Sequence, residues 1–82
     1  MNNTTTNTIT FPPSKAFRRG LNNLRVADYP AVTAGILDIL GVSTRPAMFY
    51  YADGKGNLDI DKARQIDALF RSYGVTEIWG EA

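Results

Sequence analysis

Residues 40–57 read Leu40-Gly41-Val42-Ser43-Thr44-Arg45-Pro46-Ala47-Met48-Phe49-Tyr50-Tyr51-Ala52-Asp53-Gly54-Lys55-Gly56-Asn57, and the conformation of the middle of this run sets the fold class. As a helix over 44–52, it is capped by Ser43 or Thr44, and Pro46 stays within the first turn, where its missing N–H is not needed. Thr44, Met48, Tyr51 and Ala52 then share one face, and Pro46, Phe49, Tyr50 and Asp53 the other. As a strand, Met48-Phe49-Tyr50-Tyr51 has high β propensity. Asp53 to Asn57 would then turn it into Leu58-Asp59-Ile60, giving a β-hairpin wing over 47–60. The segments on both sides are helical, and a hydroxyl after Gly41 suits a helix start. Helix is therefore the favoured reading and the wing the minority alternative.

Working outward, Tyr29, Val32, Ile36, Ile39 and Leu40 fall on one stripe at helical spacing, while Ala31, Ala34 and Asp38 face away. Asp28 and Tyr29 are cap candidates before Pro30, and Gly41 sits where a glycine ends a helix. This predicts a helix over 29–40. On the C-terminal side, Asp59 is a cap candidate, and Leu58 is placed to pack on Ala63. Ala63, Ile66, Leu69, Phe70 and Tyr73 make a stripe that Gly74 closes, predicting a helix over 59–73 with Asp67 and Arg71 as an outward i, i+4 pair. Val75, Ile78 and Trp79 form an apolar tail expected to fold back on the core. Toward the N-terminus, Ser14 is a possible cap, and Phe17, Leu21 and Leu24 share a face, predicting a first helix over 14–24 that Gly20 and Asn22-Asn23 weaken. Residues 1–10, rich in Asn and Thr, read as a flexible arm, with Pro12-Pro13 marking entry to the domain over 11–82. The expected architecture is all-α: four helices and an arm.

At 82 residues there is room for one small domain. A hydrophobic content of 44% against 21% charged is that of a folded chain. No apolar run is long enough for a membrane span, and no secretory signal is visible, so a cytoplasmic location is expected. The chain has neither Cys nor His, which removes disulfides, cysteine nucleophiles, the commonest general base and the commonest metal ligands together. An enzyme, a cofactor or a metal site is not expected. Asp53 to Arg64 fails as a calcium loop, because Lys55 takes a ligand position, Leu58 the required glycine and Arg64 the bidentate glutamate. Gly54-Lys55-Gly56 lacks phosphate-loop spacing, and Asp59 and Asp61 read as helix-start caps.

The net charge of +1 is unevenly spread, because residues 1–27 carry Lys15, Arg18, Arg19 and Arg25 with no acid. That suggests a local anionic contact, or simply a solvated basic helix. A helix at 30–40, a tight turn at Gly41-Val42-Ser43 and a helix at 44–52 follow the helix-turn-helix arrangement, in which the second helix enters the major groove. Generic helical hairpins share the pattern.

The stretch Leu40-Gly41-Val42-Ser43-Thr44-Arg45, followed by Gly54-Lys55, resembles the end of helix two and the recognition helix of lambda-repressor-like (Cro and XRE type) DNA-binding domains. Leu58-Asp59 through Gly74-Val75 looks like their later scaffold helices. The ending Tyr73 to Gly80 is similar to small phage- and mobile-element-borne proteins of that type. The resemblance covers roughly residues 28–80. It implies that Thr44 and Arg45 meet phosphate and base edge, that Pro46, Phe49 and Tyr50 face the groove, that Lys55 contacts the backbone, and that Met48 and Tyr51 are buried. Two departures stand out. Pro and two aromatics replace the usual Arg, Gln, Asn or Ser on the groove face, and either Thr44 replaces Ser43 as the cap or the turn has one extra residue.

Arg45 can read guanine O6 and N7 in a bidentate way, or sit in a surface pair. Lys15, Arg18 and Arg19 can grip phosphates. Phe49 and Tyr50 can touch thymine methyls, stack on unpaired bases, or form a protein-binding patch. The expected partner is double-stranded DNA, bound as a small transcriptional regulator with a possible homodimer on paired half-sites. The alternative is an assembly adaptor anchored by Phe49, Tyr50 and Trp79.

Overall fold

The computed structural model describes residues 15–80, so the arm, the proline pair and the Ser14 cap lie outside the described residues. Four helices follow in order: α1 (Arg18–Asn22), α2 (Tyr29–Leu40), α3 (Arg45–Ala52) and α4 (Ile60–Ser72), with a 3-10 turn at Val26–Asp28 leading into α2. Among the described residues there is no strand, only a single parallel β-bridge between Phe17 and Gly80.

The ambiguous segment is helical, which overturns the wing at 47–60. Thr44 sits in an extended conformation, and its hydroxyl accepts from the Ala47 N–H at 3.4 Å, so Thr44 and not Ser43 is the cap. Pro46 lies within the first turn. Met48 and Ala52, one turn apart, are fully buried, while Tyr50 is 54% exposed. A strand would have put Met48 and Tyr50 on the same face. The helix wins because burial here recurs every four residues.

Helices α2, α3 and α4 stop in the same way. Gly41, Gly54 and Gly74 adopt φ of 74°, 81° and 82°, and the next residue donates its N–H five residues back: Val42 to Leu37, Lys55 to Tyr50, Val75 to Phe70. This is the Schellman stop, which satisfies carbonyls that the helix end leaves open. Space around a Cβ at Gly41 is empty, so Gly41→Ala carries only the backbone penalty of the left-handed region. It is expected to cost about 1–2 kcal/mol, read as a fall in Tm of about 4–8 °C per kcal/mol for a domain of this size. Gly41→Asn should lose clearly less.

The core joins all four helices through Phe17, Leu21, Val32, Ile36, Leu40, Met48, Ala52, Ala63, Ile66 and Phe70, with Leu58, Val75 and Ile78 from the connecting segments. Helix α2 packs on both α3 and α4. Leu69 presses on Gly35, where an added Cβ would meet its Cδ2 at 2.8 Å, so α2 and α4 approach closely at this point. Thr33, buried on α2, donates its hydroxyl to the Tyr29 carbonyl. Asp59 caps α4 by accepting from the Lys62 N–H at 2.8 Å.

Four further expectations need correction. The first helix begins at Arg18 rather than 14, because the backbone before it is committed elsewhere: the Phe17 N–H donates to the Ala52 carbonyl, and Gly80 donates to Ala16. It also ends before Leu24, which packs on the core from the following turn. Asp28 makes no side-chain cap to α2 and pairs instead with Arg25 at 2.8 Å. Asp67 is not outward. It is 2% exposed, and its carboxylate accepts from Arg71 Nε at 2.7 Å and Trp79 Nε1 at 2.9 Å. Tyr73 stands at the rim of the α4 stripe and is exposed.

Candidate nucleic-acid interface

Helix α3 leaves the line of the segment Val26–Leu40 at 79° after the short connection Gly41-Val42-Ser43-Thr44. Two forces fix that angle. The left-handed Gly41 reverses the chain, and the inward pair Met48 and Ala52 ties α3 into the core. Its opposite face is left to solvent.

Along that face Thr44, Arg45, Pro46 and Tyr50 are exposed, with Lys55 exposed beyond the helix end. The Arg45 guanidinium lies 5.7 Å from the Tyr29 ring centroid, a cation–π distance. Phe49 is half-buried, and the Arg18 guanidinium lies 4.4 Å from its ring centroid. Tyr50 meets Tyr51 edge to face, with ring centroids 5.9 Å apart.

Arg18 is held further by a two-pronged contact with Asp53, Nε to Oδ1 at 2.9 Å and Nη2 to Oδ2 at 3.0 Å. This joins α1 to the end of α3 in the geometry that suits a guanidinium and a carboxylate. Arg18 is thus brought to the α3 face, but with its charge matched by Asp53. Arg19 is half-exposed, 3.9 Å from Glu77, and its guanidinium lies over Gly80, on the C-terminal segment. Lys15 is half-exposed with a φ of 50°. The basic N-terminal third is therefore divided, with Arg18 beside α3 and Arg19 beside the chain's other end. The sequence places Asp53 on the outer face of the helix but names no partner for it. Its signal was a carboxylate at a helix C-terminus, where the helix dipole disfavours it unless a cation stands nearby.

Hydrogen bonds from Arg18 hold the Asp53 carboxyl below its ordinary range, and the Lys62 backbone N–H does the same for Asp59. A depressed folded-state value means that both stabilise the fold above the ordinary carboxylate range and lose that contribution as pH falls through the folded value. Melting temperature should drop as pH falls below the ordinary carboxylate range, and the drop should be shallower in Asp53→Asn and Asp59→Asn. A pH dependence unchanged in both variants would refute this assignment.

Among the described residues no group of acids could hold a metal ion, and no single helix is long and apolar enough to cross a membrane. No protein-family model, curated protein or solved structure matches the chain.

Proposed function

We propose that this domain binds double-stranded DNA as a small transcriptional regulator of the helix-turn-helix, lambda-repressor-like kind, acting in the cytoplasm with α3 as its recognition helix. The observation that carries the proposal is α3 itself. It is a capped helix of eight residues, set steeply across α2 by a glycine turn, its inner face locked and its outer face presenting Arg45, Pro46 and Tyr50 with Lys55 at its end. A helix so displayed has the form that enters a major groove. The angle of 79° falls a little short of the about 90–120° usual for the motif. In this reading Arg45 reads a base edge, Thr44 and Lys55 flank it on the phosphates, and Lys15 and Arg19 add charge. A homodimer on paired half-sites fits such modules.

Anisotropy titration of the full chain with duplex DNA from its own upstream region, beside a scrambled duplex, tests the proposal. Affinity should fall steeply with salt, since each neutralised phosphate releases counterions, and should favour the upstream duplex. Arg45→Ala should weaken specific binding by about 1–3 kcal/mol, roughly five- to 150-fold. Absence of binding at low salt, or binding indifferent to salt, would sink the proposal.

The exposed Tyr50 ring also favours a second reading, a protein adaptor, in which Tyr50→Ala abolishes a pull-down while charge changes at 15–19 do not. That reading loses one of its anchors. Trp79 lies edge to face on Phe17 at 6.2 Å and donates to Asp67, so it serves the core.

A further inference from the structure

Resting on the duplex-DNA reading above, we infer that α3 discriminates sequence through the C5-methyl groups of thymine, contacted by the rims of Phe49 and Tyr50. The residues between Arg45 and Lys55 on the outer face are Pro46, Phe49, Tyr50 and Asp53, and the Asp53 carboxylate is taken up by Arg18. None of them carries the paired amide donor and acceptor that read adenine. Apart from the Tyr50 hydroxyl, what they offer is apolar surface, and the one base feature in the major groove that apolar surface reads is the thymine methyl.

The alternative use of aromatic rings, stacking on unpaired bases, needs an open ring face. One face of the Phe49 ring is not open: the Arg18 guanidinium lies over it at 4.4 Å, and Arg18 is fixed there by its two bonds to Asp53. The ring is half-buried against the core, so its rim is the part left for a ligand. Tyr50 stands perpendicular to Tyr51, with an interplanar angle of 89°, which orients an exposed side chain that would otherwise sample several rotamers. Arg18 thereby becomes a positioning residue. It holds Phe49 rather than gripping a phosphate.

The test enriches duplexes from a randomised library with the full chain, then rebuilds the enriched duplex with deoxyuridine replacing thymine one position at a time, which removes only the methyl. The expected result is a loss of about fourfold per contacted methyl, the equivalent of one buried CH₂, at one or more positions. Tyr50→Ala or Phe49→Leu should each erase the difference at its own position. Equal affinity for the thymine and deoxyuridine duplexes would overturn the inference while leaving duplex binding in place. So would a difference that persists in both variants, or tighter binding to the separated strands. Failure to enrich any duplex at low salt would overturn this inference and the DNA reading together. Circular dichroism of Tyr50→Ala and Phe49→Leu, with helix content unchanged, separates lost contact from lost fold.

Discussion

Replacing Phe70 by alanine is expected to cost about 3–5 kcal/mol, a quarter or more of the about 4–12 kcal/mol that a domain of 82 residues has to lose. Phe70 is fully buried on α4, with its ring centroid 6.4 Å from that of Phe17. Its ring tip also closes on Gly20, where an added Cβ would meet Cζ at 3.0 Å. One side chain thus joins α4 to α1 and to the segment before it. Backbone held on several sides cannot collapse into the void, so the cavity cost adds to the lost transfer energy. Urea unfolding followed by circular dichroism should show the midpoint falling with the slope retained. Phe70→Leu, which keeps most of the volume, should lose much less. A Phe70→Ala midpoint close to the parent's would show that this part of the core repacks freely.

The second large effect is at Asp67. Its buried carboxylate accepts from a guanidinium on its own helix and from an indole twelve residues on. Asp67→Ala removes both acceptors. Arg71 is half-exposed and recovers hydration, which moderates the loss, whereas the Trp79 contact is part-buried. A loss of about 2–3 kcal/mol is expected, smaller in Asp67→Asn, which retains a carbonyl acceptor. The chain has a single tryptophan, so its fluorescence reports this site directly. In Asp67→Ala its emission should shift to the red under conditions where helix content is intact. Unchanged emission would mean that the packing on Phe17 alone holds Trp79.

How far the sequence could be read follows from the range of the interactions. The spans of α2 and α4 were legible within a residue or so because their stripes, the Asp59 cap and the glycine stops are local signals. The segment 44–52 was open because its apolar residues are consecutive and fit either period; the burial of Met48 and Ala52, which depends on α2, decided it. Asp67 was misread because an acid four residues from an arginine is usually a solvated pair, and nothing local announces that Trp79 will return to cover it. At the candidate interface the exposed residues of α3 were legible once its helical period was chosen. The Arg18–Asp53 contact was not, since the partners stand 35 residues apart and belong to segments that read as independent. The same long-range pairing governs the start of α1, whose preceding backbone is claimed by Ala52 and Gly80.

The pairing of Ala16, Arg19 and Gly20 with Ile78 and Gly80 also orders events during synthesis. Of the described helices, the first to be made is the one whose backbone partners come last among the described residues. Until residues 78–80 have left the ribosome, α1 lacks its partner segment. A short segment closed by contacts across nearly the whole described chain also bears the full entropy of that closure. The middle helices carry their own stops and a shared stripe, and can gather first. The domain is therefore completed at its seam, and a nascent chain stalled short of that point holds Phe17 without the segment that covers it.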